Sequence, residues 1–238
     1  MQKAIVIGAT SGIGRGLAKI LSKNNYKVGI TGRRMNLLTE LQNENKEFFV
    51  VKSFDIIETD KIAQNLEELV NEIGGLNLII ISSGTGDLNE QLDFKIEKQT
   101  IDTNVSGFTA IADWAFNYFK NQGSGHLVGI TSIAGLRGGT VAPSYNATKA
   151  FQIRYLEGLR QKADKLKFPI HITDIRPGFV NTAMAKGDNL FWVSSVEKAA
   201  KQIYKAIITK RKIVYVTKRW ILFAFIFKLI PNWIYRKL

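Results

Sequence analysis

Tyr145 is the only one of the chain's seven tyrosines with a lysine four residues on, Lys149. Residues i and i+4 share one helical face, so the phenol and the ammonium would project the same way. A neighbouring cation favours the phenolate and draws a phenol pKa down from about 10, each unit being worth about 1.4 kcal/mol. Such a tyrosine can act as a general acid or base. Taken alone, the pair is just as well explained as an accident of a surface helix. A second group stands near the start, Gly8-Ala9-Thr10-Ser11-Gly12-Ile13-Gly14, between the apolar run Ala4–Ile7 and a helix-period segment. Glycines there let the backbone turn tightly and approach a pyrophosphate, while a helix N-terminus offers free N–H groups and a favourable dipole. About 20 residues further on, an NAD site carries an acidic residue for the ribose hydroxyls. This chain instead reads Thr31-Gly32-Arg33-Arg34. Guanidinium groups suit a 2′-phosphate, which favours NADP (NADPH) over NAD. A solvated basic loop is the other reading of Arg33 and Arg34.

These groups need a scaffold, and the periodicity supplies one. Strand-length apolar runs at 3–7, 27–31, 48–54, 78–82, 126–131, 170–175 and 213–216 alternate with helix-period segments. The helical segments fall at 13–23, 36–44, 60–73, 95–121, 144–165 and 196–209. Continuous runs such as Leu78-Ile79-Ile80-Ile81 suit parallel strands covered on both faces. The predicted fold is α/β, a doubly wound Rossmann-like parallel sheet of about seven strands. With four prolines, no repeat and no low-complexity tract, no linker is visible. One domain over 1–217 is expected, with 218–238 as an extension.

Composition narrows the chemistry. The absence of cysteine excludes disulfides and thiolate chemistry, and two histidines cannot alone make a histidine-rich metal site, so no metal is expected. His126 and His171 precede or begin strands at the end away from the strands' carboxyl edges, and structural roles are expected for both. The N-terminus runs directly into the first strand and does not read as a signal peptide, which points to a cytoplasmic protein. Of the net charge of +13, +11 lies in Lys198–Leu238, which has no acidic residue, leaving +2 for the first 197 residues.

The sequence resembles the short-chain dehydrogenase/reductase family over nearly all of residues 3–216. The resemblance is carried by the glycine turn, by Asn104 in Asn104-Val105-Ser106-Gly107, and by Ser132 in Thr131-Ser132-Ile133-Ala134-Gly135. Tyr145-Asn146-Ala147-Thr148-Lys149 and Arg176-Pro177-Gly178-Phe179-Val180-Asn181-Thr182 complete it. It implies an NADP-dependent oxidoreductase that moves a hydride between the nicotinamide and a carbonyl or alcohol substrate. By the same resemblance Ser132 bonds the substrate oxygen, Tyr145 exchanges its proton, Lys149 holds the nicotinamide ribose, and Asn104 supports a water-linked relay. The turn Pro177–Thr182 contacts the nicotinamide through Pro177, Gly178, Val180 and Thr182, and Asp55-Ile56 contacts the adenine. A loop aspartate is the other reading of Asp55. One motif departs from the pattern: after the fourth strand the family's Asn-Asn-Ala-Gly is replaced by Ile81-Ser82-Ser83-Gly84. Ser83 and Gly84 keep the cofactor-facing position, and the serine hydroxyls are expected to bond locally. A homodimer or homotetramer is implied, with the helices at 95–121 and 144–165 packing between subunits. Substrate loops are expected near 86–94 and 183–195.

The extension 218–238 sets an apolar run, Trp220–Phe227, among lysines, arginines and aromatic residues. It is much shorter than the roughly 20 residues a spanning helix needs. Its composition fits an interfacial segment on an anionic membrane surface, and so a peripheral protein with a lipid-like substrate. Packing on its own domain or on another subunit is the alternative. Nucleic acid is not expected, because the charges surround an apolar run and not a stacking surface. Two other functions stand beside the reductase reading: a non-enzymatic NADP-binding sensor, and an enzyme whose tail docks it on a partner.

Overall fold

The computed structural model describes residues 1–185 and 191–235. Seven parallel strands are joined in the order β3-β2-β1-β4-β5-β6-β7. They are β1 (Gln2–Ile7), β2 (Tyr26–Gly32), β3 (Phe49–Ser53), β4 (Leu78–Ile81), β5 (Gly125–Ile130), β6 (Ile170–Pro177) and β7 (Ile213–Val216). The aliphatic runs form the centre because both strand faces are covered. Successive residues of β1 divide between them: Ala4 and Val6 join a core with Leu17, Leu38 and Ile203, while Ile5 and Ile7 join one with Leu66, Phe108 and Leu156. Helices α1 (Gly12–Lys23), α2 (Met35–Glu44) and α7 (Val196–Ile208) cover the first face. Helices α3 (Ile62–Ile73), α5 (Phe108–Gln122) and α6 (Pro143–Leu166) cover the second. This is the doubly wound Rossmann-like sheet expected from the sequence.

The segment predicted as one helix over 95–121 is three pieces. Helix α4 (Phe94–Ile101) passes into a π-helical turn, Asp102–Gly107, before α5 begins. The wider turn carries Asn104, whose buried side chain is bonded across to the Thr85 backbone. Such insertions often mark functional positions. The chain ends in α8 (Trp220–Leu229) and α9 (Asn232–Tyr235). No helix among the described residues is long and apolar enough to cross a membrane.

His126 and His171 pair across β5 and β6, with ring centroids 5.8 Å apart, at the opposite end of the sheet from the motif residues. Thr173 donates its hydroxyl to the Arg211 carbonyl at 2.6 Å, so the His126 Nε2–H donates to Thr173 Oγ1 at 2.8 Å. Burial, then His171 and Lys210, lower His126 from 6.5 to about 3. His171 is lowered as well, by burial and Lys210. A histidine whose folded pKa is depressed gives stability that is present above its unfolded pKa and lost as pH falls toward the folded value. We therefore expect unfolding free energy to decline below about pH 6.5, with His126 contributing about 2 kcal/mol between pH 6.5 and 5. Denaturant titrations of wild type and His126→Phe at both pH values test this; equal pH slopes would exclude His126 as the cause.

Candidate active site

The sequence-predicted residues gather at the carboxyl edge of the sheet, where each β-to-α connection emerges. The glycine turn leaves β1 through Gly8 and Gly12, at φ +87° and +57°. A Cβ on Gly14 would lie 2.1 Å from the Gly8 carbonyl oxygen, and one on Gly8 would lie 2.6 Å from the Ser83 backbone nitrogen. The backbone is thus drawn in tightly, and helix α1 starts after Ser11 with no side chain capping its N–H groups. That is a cradle suited to an anionic diphosphate. Thr182 reaches over it from the far side, its Cγ2 3.1 Å from where a Gly12 Cβ would sit. Ile13 packs partly buried against the core beneath. The hydroxyls of Thr31 and Ser83 are buried without a hydrogen-bond partner. For Ser83 this overturns the expected local bonding: its backbone is pressed against Gly8, and no partner lies within reach of the hydroxyl.

The two arginines behave differently. Arg34 Nη2 donates to Thr10 Oγ1 at 2.6 Å and Ser11 Oγ at 2.9 Å, placing its guanidinium on the rim of the glycine turn. Arg33 is turned to Asp55, 3.5 Å away, so these two exposed-edge residues pair with each other. Ile56 is buried, its carbonyl oxygen 2.6 Å from where a Gly107 Cβ would be. The free donors of the cradle and the unpartnered hydroxyls together fit the diphosphate of a nicotinamide dinucleotide.

Ser132 follows β5, and Tyr145 and Lys149 stand on the first turns of α6, which Pro143 opens. Proline suits a helix start because its missing N–H would have no partner there. The Lys149 ammonium is buried, 5.7 Å from the centre of the Tyr145 ring. It donates to the Ile130 carbonyl at 3.1 Å and to Gln152 Oε1 at 2.9 Å. Gln152 Nε2 in turn donates to the Asn104 carbonyl at 2.8 Å, so one buried glutamine links the lysine to the π-helical turn. The Asn104 side chain also donates to Thr148 Oγ1 at 3.1 Å. Gly84 lies over this group, with Asn104 Oδ1 and Lys149 Nζ 3.3 and 3.5 Å from its Cβ position. Gly86 lies against the tyrosine ring, where a Cβ would be 2.2 Å from Tyr145 Cδ2.

Burial lowers Lys149 from 10.5 to about 8, against an opposing pull from Asp174. Tyr145 is raised above 10 by burial, and the nearby Ser132 side chain offsets part of that. The expectation that Lys149 draws the phenol down is not met in this state. The reason is geometric: the ammonium is turned to Ile130 and Gln152. Neither Gln152 nor Gly86 stood out in the sequence. A glutamine three residues past Lys149 reads as a solvated helix position, and only its complete burial marks it.

The extension folds back over this edge. Trp220 is fully buried, and its indole lies against Gly178, 2.1 Å from where a Cβ would be. It meets Phe179, Phe191, Trp192 and Phe223 with ring centroids 5.2–5.6 Å apart. Arg219 donates to the Trp192 carbonyl at 3.1 Å. Arg137, on the segment after Ser132, donates to the Ile230 carbonyl and Asn232 Oδ1, each at 3.2 Å, and stacks on Tyr235. Pro177 and Val180 are buried at the same turn, and Gly178 N–H donates to the Val216 carbonyl at 2.7 Å. Of the loop expected at 183–195, residues 186–190 lie outside the described residues, as do 236–238 of the extension.

Topology and glycine cradle define a nucleotide-binding Rossmann-like protein. Residues 2–190 match the model of the short chain dehydrogenase family. An uncharacterized oxidoreductase of Myxococcus xanthus is 34% identical over 193 residues, covering 79% of this chain and 76% of the relative. The chain belongs to the short-chain dehydrogenase/reductase family of oxidoreductases. Among solved structures, a family member from Burkholderia phymatum in complex with NAD is similar with TM-score 0.84 at 16% identity, covering 94% of this chain and 91% of that one. Actinorhodin polyketide ketoreductase, solved with NADPH, is similar with TM-score 0.79 at 20% identity, covering 90% of this chain and 95% of that one. At these identities the likeness speaks for the fold alone.

Proposed function

We propose that the protein interconverts a carbonyl and an alcohol with NADP(H), acts on a lipophilic substrate, and meets a membrane surface through 218–238. The observation that carries the reaction is the convergence of Ser132, Tyr145 and Lys149 beside a glycine turn rimmed by Arg34. When bound, the nicotinamide supplies or accepts the hydride. Ser132 bonds the substrate oxygen and stabilises the negative charge that develops on it. Tyr145 gives that oxygen its proton in reduction and takes it back in oxidation. Burial keeps the phenol protonated through neutral pH, which suits the donor role. Lys149 is held by Ile130 and Gln152 where it can bond the nicotinamide ribose, while Asn104 fixes the Thr85 backbone beside it. Arg34 receives the 2′-phosphate, Asp55 and Ile56 flank the adenine, and Pro177–Thr182 faces the nicotinamide. The aromatic side chains of Phe179, Phe191 and Trp192 near the mouth favour an apolar substrate. A homodimer or homotetramer is supported by Phe151 on α6, an exposed ring stacked on Tyr155. No feature of the site favours a cofactor sensor, since pure binding has no use for Tyr145.

NADPH consumption against aldehydes and ketones of increasing chain length tests the reading, and rates should rise with length. Arg34→Ala should raise the KM for NADPH by about tenfold to a hundredfold, the worth of a lost charge-assisted contact, and leave that for NADH nearly unchanged. Equal effects on both cofactors would remove the 2′-phosphate assignment.

A further inference from the structure

Helix α8 has two apolar faces, and only one is covered. Trp220, Phe223, Ala224 and Phe227 turn inward; Trp220 and Phe223 join the aromatic cluster at Gly178, Phe191 and Trp192, and Phe227 packs on Phe223 and Tyr235. Ile221, Leu222, Phe225, Ile226 and Leu229 form the outer stripe, continued by Trp233 of α9, each 45–68% exposed. Phe191, Trp192 and Val193 are exposed beside it, with Trp192 held by Arg219. Contiguous apolar surface of this kind marks a docking face.

Charge selects the occupant. Residues 218–238, which form the extension itself, carry five Lys or Arg and no acid. A symmetric contact between two copies through the stripe would set these basic segments against each other. An anionic lipid surface instead attracts them, and the order of exposed tryptophan, aliphatic stripe and flanking cations matches a helix lying in the interface plane. We propose that the outer stripe of α8 and α9 inserts into the headgroup region of an anionic bilayer. Because the inner face of the same helix packs on Gly178 and the 191–192 segment, the catalytic edge is then held against the membrane. A water-insoluble carbonyl compound would pass from the lipid to Ser132 and Tyr145 without crossing bulk water. The docking deepens the membrane contact proposed above, and that last step rests in addition on the reductase reading.

Flotation of the full chain with phosphatidylcholine vesicles, with and without phosphatidylserine, tests the proposal beside Leu222→Glu/Phe225→Glu. Both substituted side chains are exposed, so the fold has no packing to lose. Wild type should float with the anionic vesicles and not with the neutral ones, and the double variant should bind about tenfold less or weaker still. No binding by wild type, or unchanged binding by the variant, overturns the proposal. So does a fall in molar mass of the variant by light scattering, which would assign the stripe to a contact between copies. Turnover of a short, soluble aldehyde is measured on the same samples. Its absence alongside intact vesicle binding would count against the reductase reading and leave the docking standing.

Discussion

Tyr145→Phe should lose about two to four orders of magnitude in kcat while binding NADPH as wild type does. General acid catalysis by a positioned side chain is worth about 10²–10⁴-fold, and here the hydroxyl is the group placed beside Ser132. The ring itself is fixed by other contacts: Gly86 lies flat against it, and Lys149 stands 5.7 Å from its centre. Removing one oxygen leaves these in place. The Lys149 ammonium keeps both its bonds, to Ile130 and Gln152, so that part of the site is not disturbed. Cofactor affinity by fluorescence titration and kcat by NADPH consumption separate the two effects. A variant with kcat within a few fold of wild type would show that another group delivers the proton.

How much of this was legible before the structure depends on what each residue's signal is made of. The strands were readable because runs such as Ala4–Ile7 and Leu78–Ile81 are aliphatic on both faces, a pattern that belongs to a covered parallel sheet. The π-helical turn at Asp102–Gly107 was not, since the contact that its Asn104 makes is with Thr85, nineteen residues away. Apolar spacing along 95–121 carries no trace of that contact. Ser132, Tyr145 and Lys149 could be picked out because their types and order are distinctive. Gln152 could not, because its importance lies in being buried between Lys149 and Asn104. Arg33 and Arg34 looked equivalent as neighbours, yet alternate directions at the end of β2 send one to Asp55 and the other to the glycine turn. The tail's apolar and basic composition was plain, but packing on its own domain was only one of the readings that composition left open. Arg137 meets Ile230 and Asn232 from more than ninety residues away, a pairing that no local pattern encodes.

Trp220→Ala should cost about 3–5 kcal/mol of stability, the range for emptying a buried aromatic site. In a chain of this size that lowers Tm by roughly 10 °C. Activity should fall further than stability alone explains. The indole fills the space above Gly178, whose N–H is bonded to Val216, and an alanine leaves the Pro177–Thr182 turn unsupported from that side. A misplacement on the order of 1 Å at such a turn can lower kcat by about a hundredfold. Trp220→Phe separates packing from positioning, because the indole Nε1 has no hydrogen-bond partner and its loss leaves no buried acceptor stranded. The phenylalanine variant should therefore recover most of the stability and most of kcat. Below the alanine variant's transition, affinity for NADPH should be weakened while affinity for adenosine 2′,5′-bisphosphate, which lacks the nicotinamide, is unchanged. Affinities for both ligands unchanged from wild type, with an unaltered kcat in the folded alanine variant, would reduce Trp220 to a packing residue. The tail would then be a cover over the catalytic edge and not a part that shapes it.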